Sequence, residues 1–309
     1  MLREYATIIS HEMDLGPRQA SAVVKLLSDG ATVPFIARYR KEATGSLNEV
    51  VVRNIQKRLL ALSLLDSKKA TVIAAIEAAG DMTDKLRERI ENCYDPVELE
   101  DIYMPYRPRR KTRATQARER GLEPLAKMIM TQELDDVNKI ARKYITKSSK
   151  KVDPELVVPT VDAAISGASD IIAEWVSDSE KARNLVRSRF QRVAMIVSKG
   201  INTDSEEAQK YKDYFNFSEL LRLCPSHRYM AMRRGEQEGF LKIDITIGED
   251  DKNISDRLCR MFVKHDATPE CSEIVSRAVK DSYKRLIRPS IVNEMASAAK
   301  ERSDAAAIA

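Results

Sequence analysis

The amino-acid sequence predicts a mainly α-helical protein. Charged residues make up 32% of the chain and aromatic residues only 6%, and its 309 residues include ten glycines and eleven prolines. This composition favours long helices over the turn-rich spacing of all-β folds. Apolar residues also recur at helical spacing between proline and glycine breaks. We therefore expect a multi-helix region with a helix-turn-helix-like module and at most a minor β-strand element near residues 240–247.

Residues 1–65 read as helices with clear starts and stops. Pro17 can begin a helix that Gly30 ends, and Pro34 can begin a second that ends at Gly45. Ser46 and Glu49 have the spacing of a capping box, which predicts a strong third helix. Its apolar stripe comprises Leu47, Val51, Ile55, Leu59 and Leu62.

Residues 66–130 carry denser punctuation, which predicts shorter helices and a small module. Asp95 is a good cap for a helix beginning at Pro96, and this helix must end near Tyr103 because Pro105 disfavours helical geometry before it. A further short helix is expected from about 112 to 120. The spacing fits a helix-turn-helix, and it equally fits short helices that pack together without contacting DNA.

The rest of the chain is expected to divide into a helical region, 131–225, that continues the first one, and a region of helix, strand and long helices, 226–309, that leads to an absent domain. In the latter, Ser226 is expected to cap a short helix that Gly235 ends, and alternating apolar residues over 241–247 predict a half-buried strand. That strand needs a weakly signalled neighbour, another chain, or a domain outside this sequence. A helix kinked or restarted at Pro289 that runs to the last residue favours the third option, and we expect a piece of a longer protein.

Several functional classes lack their sequence signals. The four cysteines are scattered without a CxxC pair, so a zinc site is not expected and reduced thiols are. Phosphate loops, nucleophile elbows and paired histidines are missing from the sequence. Acid clusters at 95–101 and 249–251 could serve a metal-dependent nuclease, but surface acids at helix starts explain them better. We expect a soluble cytoplasmic protein with no membrane segment, no cofactor, no metal and no catalytic residues.

One stretch of the chain is strongly basic. Residues 107–120 contain seven cations, six of them arginine, and one acid, Glu119, for a net charge of +6. The whole chain carries +5, so the remainder sums to −1. Such a run is often only a solvated face. Two prolines, Pro105 and Pro108, and two tyrosines just before the run, Tyr103 and Tyr106, distinguish this one, because a stiff extended segment can present arginines along a phosphate backbone.

We expect these side chains to stand together on an open surface that binds nucleic acid, with little regard to sequence because no base-reading element is evident. An acidic protein partner would fit the same charge. The candidate nucleic-acid-binding residues are Tyr103, Tyr106, Arg107, Arg109, Arg110, Lys111, Arg113, Arg118 and Arg120.

Three stretches resemble one protein family. They are "VPFIARYRKEATGSLNE" from Val33, "LEDIYMPYRPRRKTRATQARERGLEPLA" from Leu99 and "SHRYMAMRRGEQEGFLKI" from Ser226. In this order they resemble the Tex family of bacterial transcription accessory proteins. The resemblance implies a helical amino-terminal region with a helix-turn-helix-like module, followed by an RNase H-like domain, helix-hairpin-helix motifs and an OB-fold RNA-binding domain. It further implies that the sequence ends before the RNase H-like domain, whereas the family's nucleic-acid binding is mainly attributed to the OB-fold.

The family motifs cover both the basic stretch and a possible second patch, Arg38, Arg40 and Lys41. For the second patch, the alternative is that Phe35 and Tyr39 simply pack inward and leave the cations solvated. The leading functional hypothesis is a nonenzymatic scaffold that binds RNA or DNA. The other is a protein-interaction module that docks RNA polymerase, other transcription machinery or the remaining domains of the full-length protein, with no nucleic-acid binding of its own.

Overall fold

The computed structural model describes residues 2–107, 112–146, 154–201 and 203–308. Within these ranges the chain forms sixteen α-helices and one three-stranded sheet, so the predicted mainly α fold class is confirmed. The chain divides into two compact units, Met1–Pro108 and Arg109–Ala309. The boundary between them falls inside the predicted module 66–130. The four-region division and the helix-turn-helix-like character of that module stay predictions.

The first unit consists of seven α-helices and one short 3-10 helix in the part that is described. The α-helices are α1 (Leu2–Glu12), α2 (Pro17–Ser28), α3 (Val33–Tyr39), α4 (Lys41–Thr44), α5 (Glu49–Ala79), α6 (Asp84–Glu91) and α7 (Pro96–Tyr103). The 3-10 helix covers Met104–Tyr106. The predicted starts at Pro17 and Pro34 are confirmed to within a residue. The single helix predicted from Pro34 to Gly45 is wrong, because Arg40 (φ −123°) separates α3 from α4. The stop at Gly45 is present, with a left-handed backbone (φ 65°) after α4.

Helix α5 begins differently from the sequence prediction. Its cap is Asn48, whose side chain accepts a hydrogen bond from the backbone N–H of Val51 at 2.9 Å. The predicted capping box of Ser46 and Glu49 is therefore wrong. Ser46 instead has a left-handed backbone, φ 64°, and completes the turn that follows Gly45.

Helix α5 is also longer than expected, because it runs for 31 residues and ends only before Gly80. The predicted change to short helices at residue 66 is wrong, since the helical pattern continues across it. Two separate apolar clusters lie along α5. The amino-terminal half packs with α1, α2 and α3, and the carboxyl-terminal half packs with α6 and α7. Helix α5 therefore contributes side chains to both apolar clusters of the first unit.

The second unit contains nine α-helices and three strands in its described part. The helices up to the sheet are α8 (Arg113–Glu119), α9 (Glu123–Thr131), α10 (Val137–Ala141), α11 (Val161–Asp178) and α12 (Glu180–Val193). The sheet and later helices are β1 (Met195–Gly200), β2 (Asn216–Leu220), α13 (Ser226–Gln237), β3 (Leu241–Thr246), α14 (Asp250–Phe262), α15 (Pro269–Ser282) and α16 (Arg288–Ile308).

Helix α11 lies at the centre of this unit, packed against α8, α9 and α15. Ten of its eighteen residues are buried, around most of its circumference. Gly167 allows close approach of the chain before α9, because a Cβ at this position would stand 2.4 Å from a methyl carbon of Leu122. On the other side, the buried hydroxyl of Ser282 in α15 donates to the carbonyl of Ala173 at 2.6 Å.

The strand predicted at 241–247 is present as β3 and pairs within its own chain. The sheet order is β2-β1-β3, and both pairings are antiparallel, with Val197 facing Ser218 on one side and Asp244 on the other. The expectation that β3 pairs with a domain outside the sequence is wrong. Its neighbour β1 escaped notice because it follows α12 after only one residue and carries no turn signal of its own.

Helix α13 does not end at Gly235 as the sequence suggested. It continues to Gln237, and Gly235 is buried inside it. A Cβ on Gly235 would stand 2.7 Å from Leu241 and 2.9 Å from Tyr211, so the glycine permits close packing of the helix against β3. The predicted cap by Ser226 is also wrong: Ser226 is the first helical residue and Pro225 precedes it without a side-chain cap.

The predicted break near Pro289 takes the form of a π-helical segment. Residues Tyr283–Ile287 connect α15 to α16, and the N–H of Arg288 reaches the carbonyl of Tyr283 five residues back. Proline has no N–H to close the ordinary helical bond to residue 285, so a widened turn at this point is the natural accommodation. It brings Tyr283 and Arg288 to the same carboxylate, Asp251.

Candidate nucleic-acid interface

The basic stretch begins at the end of α7. Asp95 caps this helix by accepting from the N–H of Val97 at 2.8 Å, and the helix ends at Tyr103, both as predicted. The 3-10 helix that follows contains Pro105. Tyr103 and Tyr106 are half-buried and pack against the apolar cluster formed by α5, α6 and α7. These two rings are therefore partly used to anchor the stretch to the first unit.

Arg107 is held by an acid of its own unit while its side chain remains 60% exposed. Its guanidinium lies 3.1 Å from the Glu100 carboxylate, which also accepts from Lys68 at 2.6 Å. One carboxylate thus faces two cations. The contact positions Arg107 without cancelling the positive charge around it.

Three of the candidate cations, Arg109, Arg110 and Lys111, lie outside the described residues. On the carboxyl side of this gap, Thr112 caps α8 by accepting from the N–H of Thr115 at 3.0 Å. The predicted short helix from about 112 to 120 is confirmed. Its two alanines, Ala114 and Ala117, are buried in the core of the second unit, and Arg113 is left exposed.

Arg118 is engaged in the most buried ion pair of the stretch. It lies 2.6 Å from the carboxylate of Glu174, whose side chain is only 7% exposed. The hydroxyl of Thr112 also reaches Glu174, at 3.4 Å. A second acid, Glu123, stands 3.8 Å from Arg118 and is itself paired with Lys127 at 2.9 Å. Arg118 therefore ties α8 to α11 and has a structural task.

Arg120 and Arg113 complete the described part of the stretch. Arg120 donates to the backbone carbonyl of Glu155 at 2.8 Å, a contact that fixes the side chain but removes no charge. Arg113 lies close enough to Asp170 to influence it. Burial raises the pKa of the Asp170 carboxyl, and the positive charges of Arg285 and Arg113 oppose that rise.

Arg107, Arg118 and Arg120 each have an acceptor within their own chain, and only the carboxylate that Arg118 contacts is buried. Their charge is nevertheless only partly compensated, because Glu100 and Glu123 each face two cations and Arg120 faces a neutral carbonyl. Among the described residues of the stretch, Arg107, Arg118 and Arg120 are thus positioned cations. The expectation that the cations stand together on an open surface stays a prediction. Whether they bind nucleic acid stays a prediction.

The second patch is the more open of the two. Arg38, Arg40 and Lys41 are exposed, and so are the aromatic side chains beside them, Phe35 at 39% and Tyr39 at 70%. The alternative in which these two rings pack inward is therefore wrong. The exposure of both rings could have been predicted from the sequence. Val33, Ile36 and Ala37 are three apolar residues at helical spacing, and they suffice to fill the inner face of a seven-residue helix.

Across residues 2–107, 112–146, 154–201 and 203–308, no helix has both the length and the apolar character to cross a membrane. The same ranges contain no cluster of three or more histidine, cysteine or acidic side chains arranged to hold a metal ion. All four cysteines are free thiols, three of them buried.

The protein is largely helical and several of its surface cations are held by neighbouring side chains. Comparison with known proteins identifies its family. The model of the Tex-like protein N-terminal domain matches residues 3–77, and that of the Tex central region matches residues 133–309. The chain belongs to the Tex family. The resemblance drawn from the sequence is thereby confirmed.

Named relatives agree with this assignment. The chain is 38% identical to the Bacillus subtilis protein YdcI over 97% of its own length and 41% of that protein. It is 38% identical to the transcriptional accessory protein Tex of Neisseria gonorrhoeae over 80% of its length and 32% of that protein. The human S1 RNA-binding domain-containing protein 1 is 30% identical over 96% of the chain and 30% of that protein. The chain thus spans less than half the length of these relatives.

Proposed function

We propose that this chain is a nonenzymatic part of a transcription accessory factor and that it associates with RNA or DNA in the cytoplasm without strong sequence preference. Membership of the Tex family supports the transcription role, and a relative named for an RNA-binding domain supports a nucleic-acid ligand. The surface proposed for the contact is the basic stretch 107–120. Arg107, Arg113 and Arg120 are its described cations with no buried structural partner.

One observation carries this proposal: among the described cations of the stretch, Arg107 and Arg120 are held in place while their positive charge is only partly compensated. Arg107 shares a single carboxylate with Lys68 and stays 60% exposed. Fixed cations lose less conformational freedom on binding phosphates than free ones do. Because phosphate contacts carry no sequence information, binding through them is indifferent to sequence.

A titration of fluorescently labelled oligonucleotides, single-stranded and duplex, tests the proposal at several salt concentrations. If about four cations neutralise phosphates on duplex DNA, a plot of log binding constant against log salt concentration has a slope of about −3.6. A variant in which five cations of the stretch become alanine should bind much more weakly and with a flatter slope. The five are Arg107, Arg109, Arg110, Lys111 and Arg113. Arg118 is left intact because of its contact with Glu174.

The matched control removes the same charge from elsewhere on the surface. Five exposed lysines are replaced by alanine, so that both variants have the same net charge. They are Lys57, Lys85, Lys181, Lys242 and Lys252. We expect the control to bind nearly as the unaltered chain does. Equal weakening of both variants, or no weakening of the first, would contradict a specific role for the basic stretch.

The second candidate function is a protein-interaction surface that docks RNA polymerase, other transcription machinery or further domains. The partly compensated charge of Arg107 and Arg120 would face an acidic protein surface as well as it would face phosphates. Binding of neither oligonucleotide in the titration, at any salt concentration, would support this alternative. Incubation of labelled RNA and DNA with magnesium or manganese checks the nonenzymatic character, and we expect no cleavage.

A further inference from the structure

The corner between α3 and α4 displays aromatic rings where a small helical unit would normally bury them. Phe35 and Tyr39 are four residues apart on α3, on the face opposite the buried Val33 and Ile36. Their ring centroids lie 5.5 Å apart at an interplanar angle of 41°. The core that α3 joins is made largely of aliphatic side chains. The two rings form a short exposed strip and contribute little to that core.

Cations surround this strip. The guanidinium carbon of Arg40 lies 5.3 Å from the centre of the Phe35 ring, within the range of a cation–π contact. Arg38 and Lys41 are also exposed, and no ion pair links any of the three to a carboxylate in the described part of the chain. From Val33 to Thr44, the sequence contains one acid, Glu42. We call Phe35, Arg38, Tyr39, Arg40 and Lys41 the aromatic platform.

The platform is held in place from beneath. The buried hydroxyl of Thr44 donates to the carbonyl of Arg40 at 3.0 Å. The side-chain amide of Gln19 in α2 donates to the carbonyl of Thr44 at 3.3 Å. Gly45 lies so close to the same amide that a Cβ there would stand 2.4 Å from its nitrogen. The α3–α4 corner is therefore fixed to α2, and a ligand would meet a surface that is already arranged.

We propose that the aromatic platform binds single-stranded nucleic acid by stacking unpaired bases on Phe35 and Tyr39 while Arg38, Arg40 and Lys41 face the phosphates. Exposed rings combined with cations along a fixed surface match the requirements of such a ligand, because each base offers a stacking face and each linkage a negative charge. A duplex hides its base faces and could engage only the cations. The proposal adds a second surface to the proposed function and rests on it only in taking nucleic acid to be a ligand of this chain.

A tryptophan placed on the platform provides a local test. The variant Tyr39→Trp puts an indole where a base would stack, and the matched control Leu64→Trp puts one at a 72% exposed position on α5, in the same unit. Trp175 contributes the same background to both. We expect an unlabelled 12-nucleotide oligodeoxythymidylate to quench Tyr39→Trp saturably and Leu64→Trp hardly at all. A 12-base-pair duplex at equal phosphate concentration should quench Tyr39→Trp less.

A second variant separates stacking from charge. Phe35→Ala combined with Tyr39→Ala keeps every cation, and both rings are exposed, so the fold should persist by circular dichroism. The affinity for the labelled single strand should fall about tenfold or more, as loss of one stacked base implies, with duplex affinity nearly unchanged. The corresponding control, Leu60→Ala with Leu64→Ala, removes two exposed apolar side chains from α5 and should leave both affinities unchanged.

The outcomes distinguish the two proposals. Quenching of Tyr39→Trp that persists when the five basic-stretch cations are alanine supports the platform even if the stretch has no role. Oligonucleotide binding by the chain without quenching at Tyr39→Trp overturns the platform and leaves the proposed function standing. The platform is also overturned if the duplex quenches Tyr39→Trp as strongly as the single strand does, or if the single strand quenches Leu64→Trp as strongly as Tyr39→Trp. Equal quenching of Tyr39→Trp by polyglutamate of matched charge overturns it too, because that result would assign the surface to an acidic protein.

Discussion

Individual charged residues in this protein divide into those that hold the fold together and those that remain available. Arg118 belongs to the first group, because its partner Glu174 is buried and also lies beside the Thr112 cap. Arg38 and Arg40 belong to the second. In the sequence all three are simply arginines, and only their partners in the fold separate the two groups. Mutagenesis that removes cations by sequence position alone would confuse lost binding with lost stability.

The first prediction concerns Glu174. Replacing Glu174 by alanine leaves Arg118 without its buried partner, and we expect the free energy of unfolding of the second unit to fall by about 1–3 kcal/mol. This is below the usual cost of breaking a fully buried pair, because Arg118 is 32% exposed and water can partly solvate it. Urea denaturation followed by Trp175 fluorescence measures the change. Glu123→Ala, at the exposed acid 3.8 Å from the same arginine, should cost less than about 1 kcal/mol. Equal effects at the two positions would contradict this assignment.

The second prediction concerns the thiol of Cys224. Burial raises its pKa to about 12, and the negative charge of Glu219 adds to the rise. In the native protein at pH 8, about one such thiol in 10,000 is ionised, so alkylation by iodoacetamide should be slow. Its rate should climb tenfold per pH unit from 7 to 9 without a plateau, as read by mass spectrometry of the Cys224 peptide. The urea-unfolded chain is the control and should approach its plateau near pH 9; a native plateau there would refute the prediction.

The same shift has a consequence for stability. The folded-state pKa of Cys224 lies above the ordinary thiol value of 9.0, so the folded state holds this proton more tightly than the unfolded state. The free energy of unfolding therefore falls as the pH rises from about 9 to about 12, and ionisation of this thiol leaves it unchanged below about pH 9.

At the scale of elements, the second unit depends on close approach of helices to their neighbours. Gly167 lets Leu122 reach α11, and Gly235 lets α13 rest against β3. In the sequence, Gly235 resembles a helix stop, because glycine is a common residue just past a helix end. The structure shows why it stands inside α13: there is no space for a methyl group. The left-handed residue after the end of α13 is Gly239 instead, with φ 81°.

The third prediction follows from this packing. Gly235→Ala would ordinarily stabilise a helix by up to about 1 kcal/mol, but here the new methyl group must displace Leu241 and Tyr211. We expect a net loss of about 1–3 kcal/mol in the free energy of unfolding, typical of overpacking. Gln237→Ala, at an exposed position of the same helix, should change stability by less than about 0.5 kcal/mol. An increase in stability for Gly235→Ala, measured by urea denaturation, would show that the close approach is not maintained.

At the scale of the whole molecule, the protein contains separate apolar cores. The clusters along α5 involve residues up to 106, and the large cluster of the second unit involves residues from 114 onward. Each unit buries its own apolar side chains, which is the property expected of independent folding units. The basic stretch spans the end of one unit and the start of the other.

The fourth prediction is that the chain does not unfold in one step. Trp175 is the only tryptophan and packs within the second unit, so its fluorescence reports that unit alone. Far-ultraviolet circular dichroism reports the helices of both. We expect the two urea unfolding curves to have different midpoints, because two cores of different size need not share one transition. Superimposable curves from the two probes would show a single cooperative unit.

The sequence by itself determined the helical class, the family, and most helix starts and stops, because proline, glycine and capping side chains act through the backbone of their own neighbours. It also located β3, since alternation of apolar residues is local. The continuation of α5 past residue 66 is a local property, because Leu65, Val72 and Ile76 keep the helical spacing. Tertiary structure alone decided that β3 pairs with β1 and that Gly235 lies inside a helix, since each depends on residues outside the local stretch. For the same reason the sequence shows how many cations lie in 107–120 but not which of them have structural partners. Arg118 pairs with Glu174, 56 positions away. In the second patch, by contrast, Arg38 and Arg40 are exposed beside Phe35 and Tyr39.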